Sequence, residues 1–399
     1  MTDTRIDDID ILISGGGLAG LIAACAFGAQ GFSVLCVDPA PPVTEEDAAG
    51  ADLRSTAFLM PSVALFERIG LWEHLARHAT ALQVMRIVDA GGATATPRLT
   101  RDFDAAEIGD QPFGWNLPNW LMRRELMARI QALPSVRVIH GIGTATVLPR
   151  SEGAVVTLTD GRRLRARLLI GADGRDSAVR RALGIGTRTW RYGQKALAFA
   201  VTHEQPHHNV STEVHRSGGP FTLVPLPDRE GQPGSAVVWM DDAAAIDALL
   251  ALPAPDFEAA LNDRSAGVLG HLRQATPLTA WPIVSQIADR FAGPRTALIA
   301  EAAHALPPIG AQGLNMSLAD LSALLELSRA DPGSADSLAR YNRTRRPDAY
   351  ARILAIDALN RASQAQLRPL RDLRAAALGG LYGIAPVRRM MMRAGLGLS

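Results

Sequence analysis

The sequence predicts an α/β protein in three parts: a three-layer, Rossmann-like domain assembled from separated segments, an antiparallel-sheet domain, and a C-terminal helical region. Three observations carry this. The chain opens with a strand (9–14), a glycine turn (15–20), a helix (21–30) and a second strand (33–37), a complete βαβ unit. Strand–turn–helix patterns recur at 167–180 and 296–320. Between them, residues 197–201, 212–215, 221–224 and 236–240 alternate or run apolar between Gly/Pro turns, as antiparallel strands do.

At 399 residues the chain has room for two or three substructures. An apolar fraction of 47% and a charged fraction of 20% are those of a globular protein. The formal charge of +1 argues against nucleic acid as a partner. Lys195 is the single lysine, so a Schiff base has one candidate, in a strand-like run. Cys25 and Cys36 fall in the first apolar unit and read as small buried hydrophobes, with no disulfide framework or Cys-based zinc site. The N-terminus MTDTRIDDID is acidic and lacks an apolar core, unlike a secretory signal or a transit peptide. No apolar run is long enough to span a bilayer, so the expected location is cytoplasmic.

In order along the chain, 39–51 is Pro-, Ala- and acid-rich and reads as a loop. The run Asp52-Leu53-Arg54-Ser55-Thr56 precedes a helix holding Leu65, Phe66, Ile69 and Leu71. A strand at 84–89 leads to an irregular stretch, 90–114, and a helix at 119–132 with Arg123-Arg124 on a solvated face. Short strands follow at 136–139, 145–148 and 154–158, with Asp160-Gly161 as a hairpin turn. In 167–180 the strand 168–172 ends at Asp173, Gly174 turns the chain, and Ser177 is a helix N-cap. Helices are expected at 243–252 and 257–272.

The third pattern has a strand at 296–300, Glu301, His304, Pro307-Pro308, the loop Gly310-Ala311-Gln312-Gly313, and a helix from Leu314. A glycine loop before a helix N-terminus is an anion site. After Pro347 the pattern is helical (349–362, 369–379, 386–394). From Arg361 onward seven arginines stand against one acid, Asp372. That region is either a solvated helical face or a surface for anionic lipid or an acidic partner.

Gly15, Gly17 and Gly20 satisfy G-x-G-x-x-G, and Asp38 stands where a ribose-binding acid is expected. Dinucleotide binding follows, without separating NAD from FAD. His203-Glu204-Gln205-Pro206-His207 matches a zinc-protease signature, but Pro206 breaks the helix that chemistry needs, so no metal is expected. His304 reads as a hydrogen-bonded structural histidine.

Three phosphate- or ribose-type elements fit one long cofactor running through one domain. The motifs GGGLAG, LLIGADGRDSAVR and AEAAHALPPIGAQGLN, in that order, resemble the aromatic-ring flavoprotein monooxygenases of the para-hydroxybenzoate hydroxylase class. Residues 190–228, WRYGQKALAFAVTHEQPHHNVSTEVHRSGGPFTLVPLPD, with AVVWM at 236–240, resemble the substrate-domain sheet of the ubiquinone-biosynthesis hydroxylase family. The resemblance covers 9–346. It implies an FAD-binding domain made of 1–84, 119–184 and 286–346, a substrate domain of 85–118 and 185–285, and a helical region at 347–399.

By position, it implies that Gly15, Gly17, Gly20 and Asp38 hold the ADP half of FAD and that Arg54 pairs with its pyrophosphate. Asn119 would touch the flavin side, and Asp173 with Gly174 would contact FAD and help admit NAD(P)H. Glu301 would bind ribityl hydroxyls. Pro308, Gly310, Ala311, Gln312, Gly313, Leu314 and Asn315 would line the isoalloxazine ring. No catalytic side chain is implied. Two departures stand out: Ala300-Glu301 replaces the family's Gly-Asp, and Ala311 replaces a loop glycine.

The implied reaction uses NAD(P)H to reduce FAD and O2 to form a flavin C4a-hydroperoxide, which hydroxylates a polyprenylated phenol in ubiquinone synthesis. Such a substrate lives in the bilayer. The basic C-terminal region would suit peripheral docking on the inner face of the cytoplasmic membrane, or a place in a quinone-biosynthesis complex. An FAD-dependent prenyl-chain reductase and a non-catalytic FAD-bound subunit remain alternatives.

Overall fold

In the computed structural model, which describes residues 7–92, 94, 96–216, 218–364, 380 and 382–396, β1 (Asp7–Ser14) lies inside a largely parallel sheet. It pairs in parallel with β2 (Val34–Asp38) on one side and β3 (Arg163–Gly171) on the other, with Ser14 level with Val37 and Gly171. Val136–His140 extends the parallel set beyond β2, and Thr296–Leu298 extends it beyond β3. Strands drawn from across the chain therefore end along one edge, where open α/β sheets place ligands.

Helix α1 (Leu18–Ala29) is apolar nearly all round and buries Ala19 through Gly28, as a helix inside a layered core must. Gly28 makes that possible, since a Cβ there would lie 2.1 Å from Val136 Cγ2. Beside it, α2 (Asn119–Gln131) buries Leu121, Met122, Leu126 and Ile130. Cys25 and Cys36 are buried and free, and burial pushes both thiols up to about 12, so they are inert packing groups as expected.

The second sheet is built on β4 (Thr187–His203), followed by β5 (Val210–His215), β6 (Pro220–Arg229), β7 (Gln232–Asp242) and β8 (Thr279–Ala288). Its order is β8-β4-β7-β6-β5, continued by Val84–Asp89 and Leu99–Asp104. The expected antiparallel sheet is in fact mixed, because β5 runs parallel to Val84–Asp89. That junction joins two separate passes of the chain, which local alternation does not reveal. Leu99–Asp104 corrects the irregular reading of 90–114: an outer strand of polar, half-exposed residues is held by pairing and not by an apolar run.

Strand alternation sorts residues by size. Leu197, Phe199 and Val201 join Phe221, Leu223, Val237 and Trp239 against the helices Ala243–Leu250 and Ala254–Ser265. Ala196, Ala198 and Ala200 point the other way. Ala196 there joins Met240, Ile283, Ile309 and Ile356 in a separate cluster. The helix expected over 257–272 instead stops at Ser265, where Ala266 takes a left-handed conformation, and Leu272–Gln274 pairs with β4.

Helix α3 (Gln312–Leu327) starts two residues before Leu314, because Ala311 takes φ 56° as N-cap and draws Gln312 and Gly313 into the first turn. The strand expected over 296–300 ends at Leu298, and Ala300 at φ 55° opens a single 3₁₀ turn. Helix α4 (Ala335–Ser363) runs straight through Pro347, so no break falls at residue 347. An internal proline costs about 3 kcal/mol. Tertiary ties offset it: Tyr341 OH donates to the Leu298 carbonyl (2.8 Å), and Arg345 Nε donates to Asp320 Oδ1 (2.7 Å). Further along, Asn360 Nδ2 donates to Gln194 Oε1 of β4 at 2.9 Å. Helix α5 (Ala385–Leu396) meets the expected 386–394, while 369–379 lies outside the described residues. No described helix is long and apolar enough to cross a membrane.

Candidate cofactor and substrate site

The three glycines after β1 are not equivalent. At Gly15, whose φ is +109°, a Cβ would lie 2.3 Å from the Ala172 carbonyl oxygen, and at Gly20 it would lie 1.9 Å from that of Gly15. Both are demanded by the protein's own packing. A Cβ at Gly17 would meet nothing within 4 Å, although Gly17 is the N-cap of α1 and no side chain caps that helix. Open space thus faces orphan N–H groups at a helix N-terminus. Asp38, at the end of β2, is fixed beside it, accepting from Gly16 N–H (2.5 Å) and Ala40 N–H (2.8 Å).

At the end of β3, Asp173 Oδ2 accepts from Val179 N–H at 3.1 Å, whereas Asp173 Oδ1 is buried and has no partner among the described residues. Gly174 turns the chain at φ +79°, and Ser177 caps the next helix by accepting from Arg180 N–H at 2.9 Å. Arg180 then donates to the Ala302 carbonyl (2.9 Å), tying this motif to the third. Glu301 is 57% exposed and reaches Arg175 Nε at 3.4 Å, so the longer side chain has a protein partner of its own.

The third loop presents backbone. Gly310 (φ +62°) and Ala311 turn it, and the N–H groups of Ala311, Gln312, Gly313 and Leu314 are the orphans of α3, which has no side-chain cap. Pro308 and these residues are partly or fully exposed. Asn315 plays a different part: Oδ1 accepts from Leu59 N–H (2.9 Å) and Ser62 Oγ (2.6 Å), and Nδ2 donates to the carbonyls of Ala57 (2.8 Å) and Ala311 (2.6 Å). Its side chain is spent on anchoring the start of α3. Behind the loop, His304 Nε2 and Asp320 Oδ2 are 2.5 Å apart with both side chains fully buried, and Arg345 takes the other oxygen. His304 is structural, as its sequence context suggested.

Arg54 donates from Nε (2.7 Å) and Nη2 (2.8 Å) to Asp52, and its guanidinium lies 5.2 Å from the Trp281 ring centroid on β8. Asn119 is buried and donates to Asp52 at 3.0 Å while accepting from Thr56 Oγ1 at 2.7 Å, so its side chain seats Arg54's partner. Arg123, expected in solvent, approaches the same carboxylate at 3.8 Å. Burial pushes the Asp52 carboxyl up, but its bonds from Arg54 and Asn119 outweigh that and hold it below the usual carboxylate range. Asp52 stood in the DLRST run, two residues from Arg54. Nothing local marks Trp281, Asp320 or Arg345. The zinc-like motif is dispersed: His203, at the end of β4, bonds Ser235 Oγ (3.0 Å), and His207 bonds the Leu226 carbonyl (3.1 Å). Among the described residues no cluster could hold a metal.

This donor set fits a flavin dinucleotide: free space at Gly17, a fixed acid at Asp38, an acceptor at Asp173 with no partner among the described residues, and an uncapped helix end at 311–314. With a second sheet packed against the last loop, fold and site define an FAD-dependent monooxygenase. A family model described as FAD binding domain matches residues 8–353. The ubiquinone hydroxylase UbiL of Rhodospirillum rubrum is 34% identical over 394 residues, covering 97% of this chain and 89% of the relative. The 3-demethoxyubiquinol 3-hydroxylase of Escherichia coli is 28% identical over 98% of each chain. Among solved structures, p-nitrophenol 4-monooxygenase PnpA of Pseudomonas putida shares the fold with a TM-score of 0.79, covering 98% of this chain and 99% of its own at 19% identity. The chain belongs to the ubiquinone-biosynthesis hydroxylase family of FAD-dependent monooxygenases.

Proposed function

We propose that the protein hydroxylates the aromatic ring of a polyprenylated phenol in ubiquinone biosynthesis, with NAD(P)H and O2 as co-substrates. The observation that carries this reading is the meeting of the 309–314 loop with the small-residue face of β4, through Ile309, Ala196 and Met240. Bound FAD supplies the activation of O2.

The chain's own residues do the rest. Gly15, Gly17, Gly20 and Asp38 would hold the ADP half, with Asp173 and Gly174 beside it. Arg54, seated on Asp52 and Trp281, would pair with the pyrophosphate. Glu301 would bind ribityl hydroxyls. The free N–H groups from Ala311 to Leu314 favour negative charge on the ring edge they face. Pro308 and Gly310 shape the loop, and Met240, Ile283 and Ile309 exclude water beside it. Ala196, Ala198 and Ala200 keep this face of β4 small, where the aromatic ring would be received. In this reading the protein works at the inner face of the cytoplasmic membrane or in a quinone-biosynthesis complex.

The test is oxygen uptake by FAD-loaded protein with NAD(P)H and a detergent-solubilised polyprenyl phenol. Product carrying one added oxygen per O2 consumed is expected. Saturation of the prenyl chain without oxygen uptake would replace this reading with a reductase. A flavin that no NAD(P)H bleaches would replace it with a non-catalytic subunit.

A further inference from the structure

Among the described residues, nine large hydrophobic side chains are exposed, and five lie near the C-terminus. Leu354 (48%) and Leu359 (59%) are on α4, Ile384 directly precedes α5, and Met390 (64%) and Met391 (46%) are on α5. The inner sides of both helices hold the cofactor loop: Ile356 of α4 clusters with Ile309, and the Gly395 carbonyl accepts from Gln312 Nε2 at 3.0 Å. Met392 packs on Ala105 and Phe113, and Arg388 pairs with Glu107 at 2.7 Å, fixing α5 across the edge of the second sheet. The apolar side chains left outside are therefore the backs of two helices flanking residues 309–312.

On α4, Asp357 lies between Leu354 and Leu359 and is held by Arg361 at 2.9 Å, so the excess positive charge is carried by α5. α5 contains no acid. Arg389 is 56% exposed and only 4.0 Å from Glu107, which Arg388 already holds, and Arg393 has no ion-pair partner among the described residues. Exposed methionine and isoleucine beside unneutralised arginine, without an acid, is the pattern of a helix lying in a lipid interface.

We propose that α5 and the outer side of α4 form a docking surface for an anionic lipid bilayer, which brings the 309–312 loop to the membrane. The proposal rests on the reading of a bilayer-held substrate, and its test is separate from that reading. FAD-loaded full-length protein is sedimented with vesicles of phosphatidylcholine alone or mixed with phosphatidylglycerol. Binding should require the anionic lipid and weaken about tenfold in both the Met390→Ser/Met391→Ser and the Arg389→Glu/Arg393→Glu proteins. Both should keep their flavin spectrum, since these side chains point outward. Equal vesicle binding by wild type and variants overturns the proposal. So does light scattering in which these changes dissociate a homo-oligomer while vesicle binding stays constant. Unchanged hydroxylation of detergent-solubilised phenol by the arginine variant, with vesicle binding lost, supports docking as a separate role.

Discussion

In the proposed reading the two sheets contribute to one site by opposite means. Along the edge of the first, the groups assigned to the cofactor are largely backbone, at the turn Gly15–Gly20 and the uncapped start of α3, with Asp38 and Asp173 beside them. On the second, the face assigned to the substrate differs by side-chain size, with alanines on β4 in front and Leu197, Phe199 and Val201 behind. A turn packed closely on its neighbours leaves no room for a side chain, so Gly15 and Gly20 are written as glycine. A side-chain site depends on which strands pair, and local sequence says less about it.

Five substitutions can break or sharpen that contrast. The largest effect is expected from Asp320→Asn, behind the cofactor loop. It leaves Arg345 without its buried counter-charge, and urea unfolding should show a loss of about 3–5 kcal/mol. Next, Gly20→Ala drives a Cβ into the Gly15 carbonyl and should cost about 1–3 kcal/mol together with FAD binding. Gly17→Ala is its control, leaving stability within about 0.5 kcal/mol while FAD affinity falls, because the added methyl meets only ligand space. Equal destabilisation by the two would remove the distinction between packing and binding glycines.

On the other sheet, Ala198→Leu should cost about 1 kcal/mol and abolish hydroxylation while FAD titration stays normal. Loss of FAD would show that the sheets do not divide the work as described. Asp52→Asn should cost only about 1 kcal/mol at neutral pH, because Arg54 is partly exposed, and should leave the fold of both sheets unchanged. The folded-state pKa of Asp52 is depressed, so its contribution is present above the ordinary value of 3.8 and fades as pH falls through the lower folded value. Denaturation midpoints of wild type and variant should converge in acid. A constant gap down to acid pH would remove charge from the explanation.

This contrast also accounts for what could be read beforehand. The glycine turn, the strand ends near Asp38 and Asp173, and the loop before α3 were legible as structure because each belongs to a local strand–turn–helix pattern. Asn119 and Asn315 were legible as positions, but their side chains turned out to brace Asp52 and α3. Trp281 was invisible because it meets Arg54 only after β8 pairs with β4. The parallel pairing of β5 with Val84–Asp89 was hidden for the same reason. Pro347 misled outright: local propensity stops a helix there, and the ties of Tyr341 and Arg345 override it.

That uninterrupted α4 has a mechanical consequence. Its 29 residues span about 43 Å, pinned to the first sheet through Tyr341 and to the second through Asn360. It acts as a spar that fixes the angle between the sheets and resists a hinge-like opening. Its compliant point is Pro347, which leaves the Arg343 carbonyl without a helical donor. Pro347→Ala should slow amide exchange along the second half of α4. Unchanged exchange would show that the missing donor at Arg343 leaves no soft point and that the spar is rigid along its whole length.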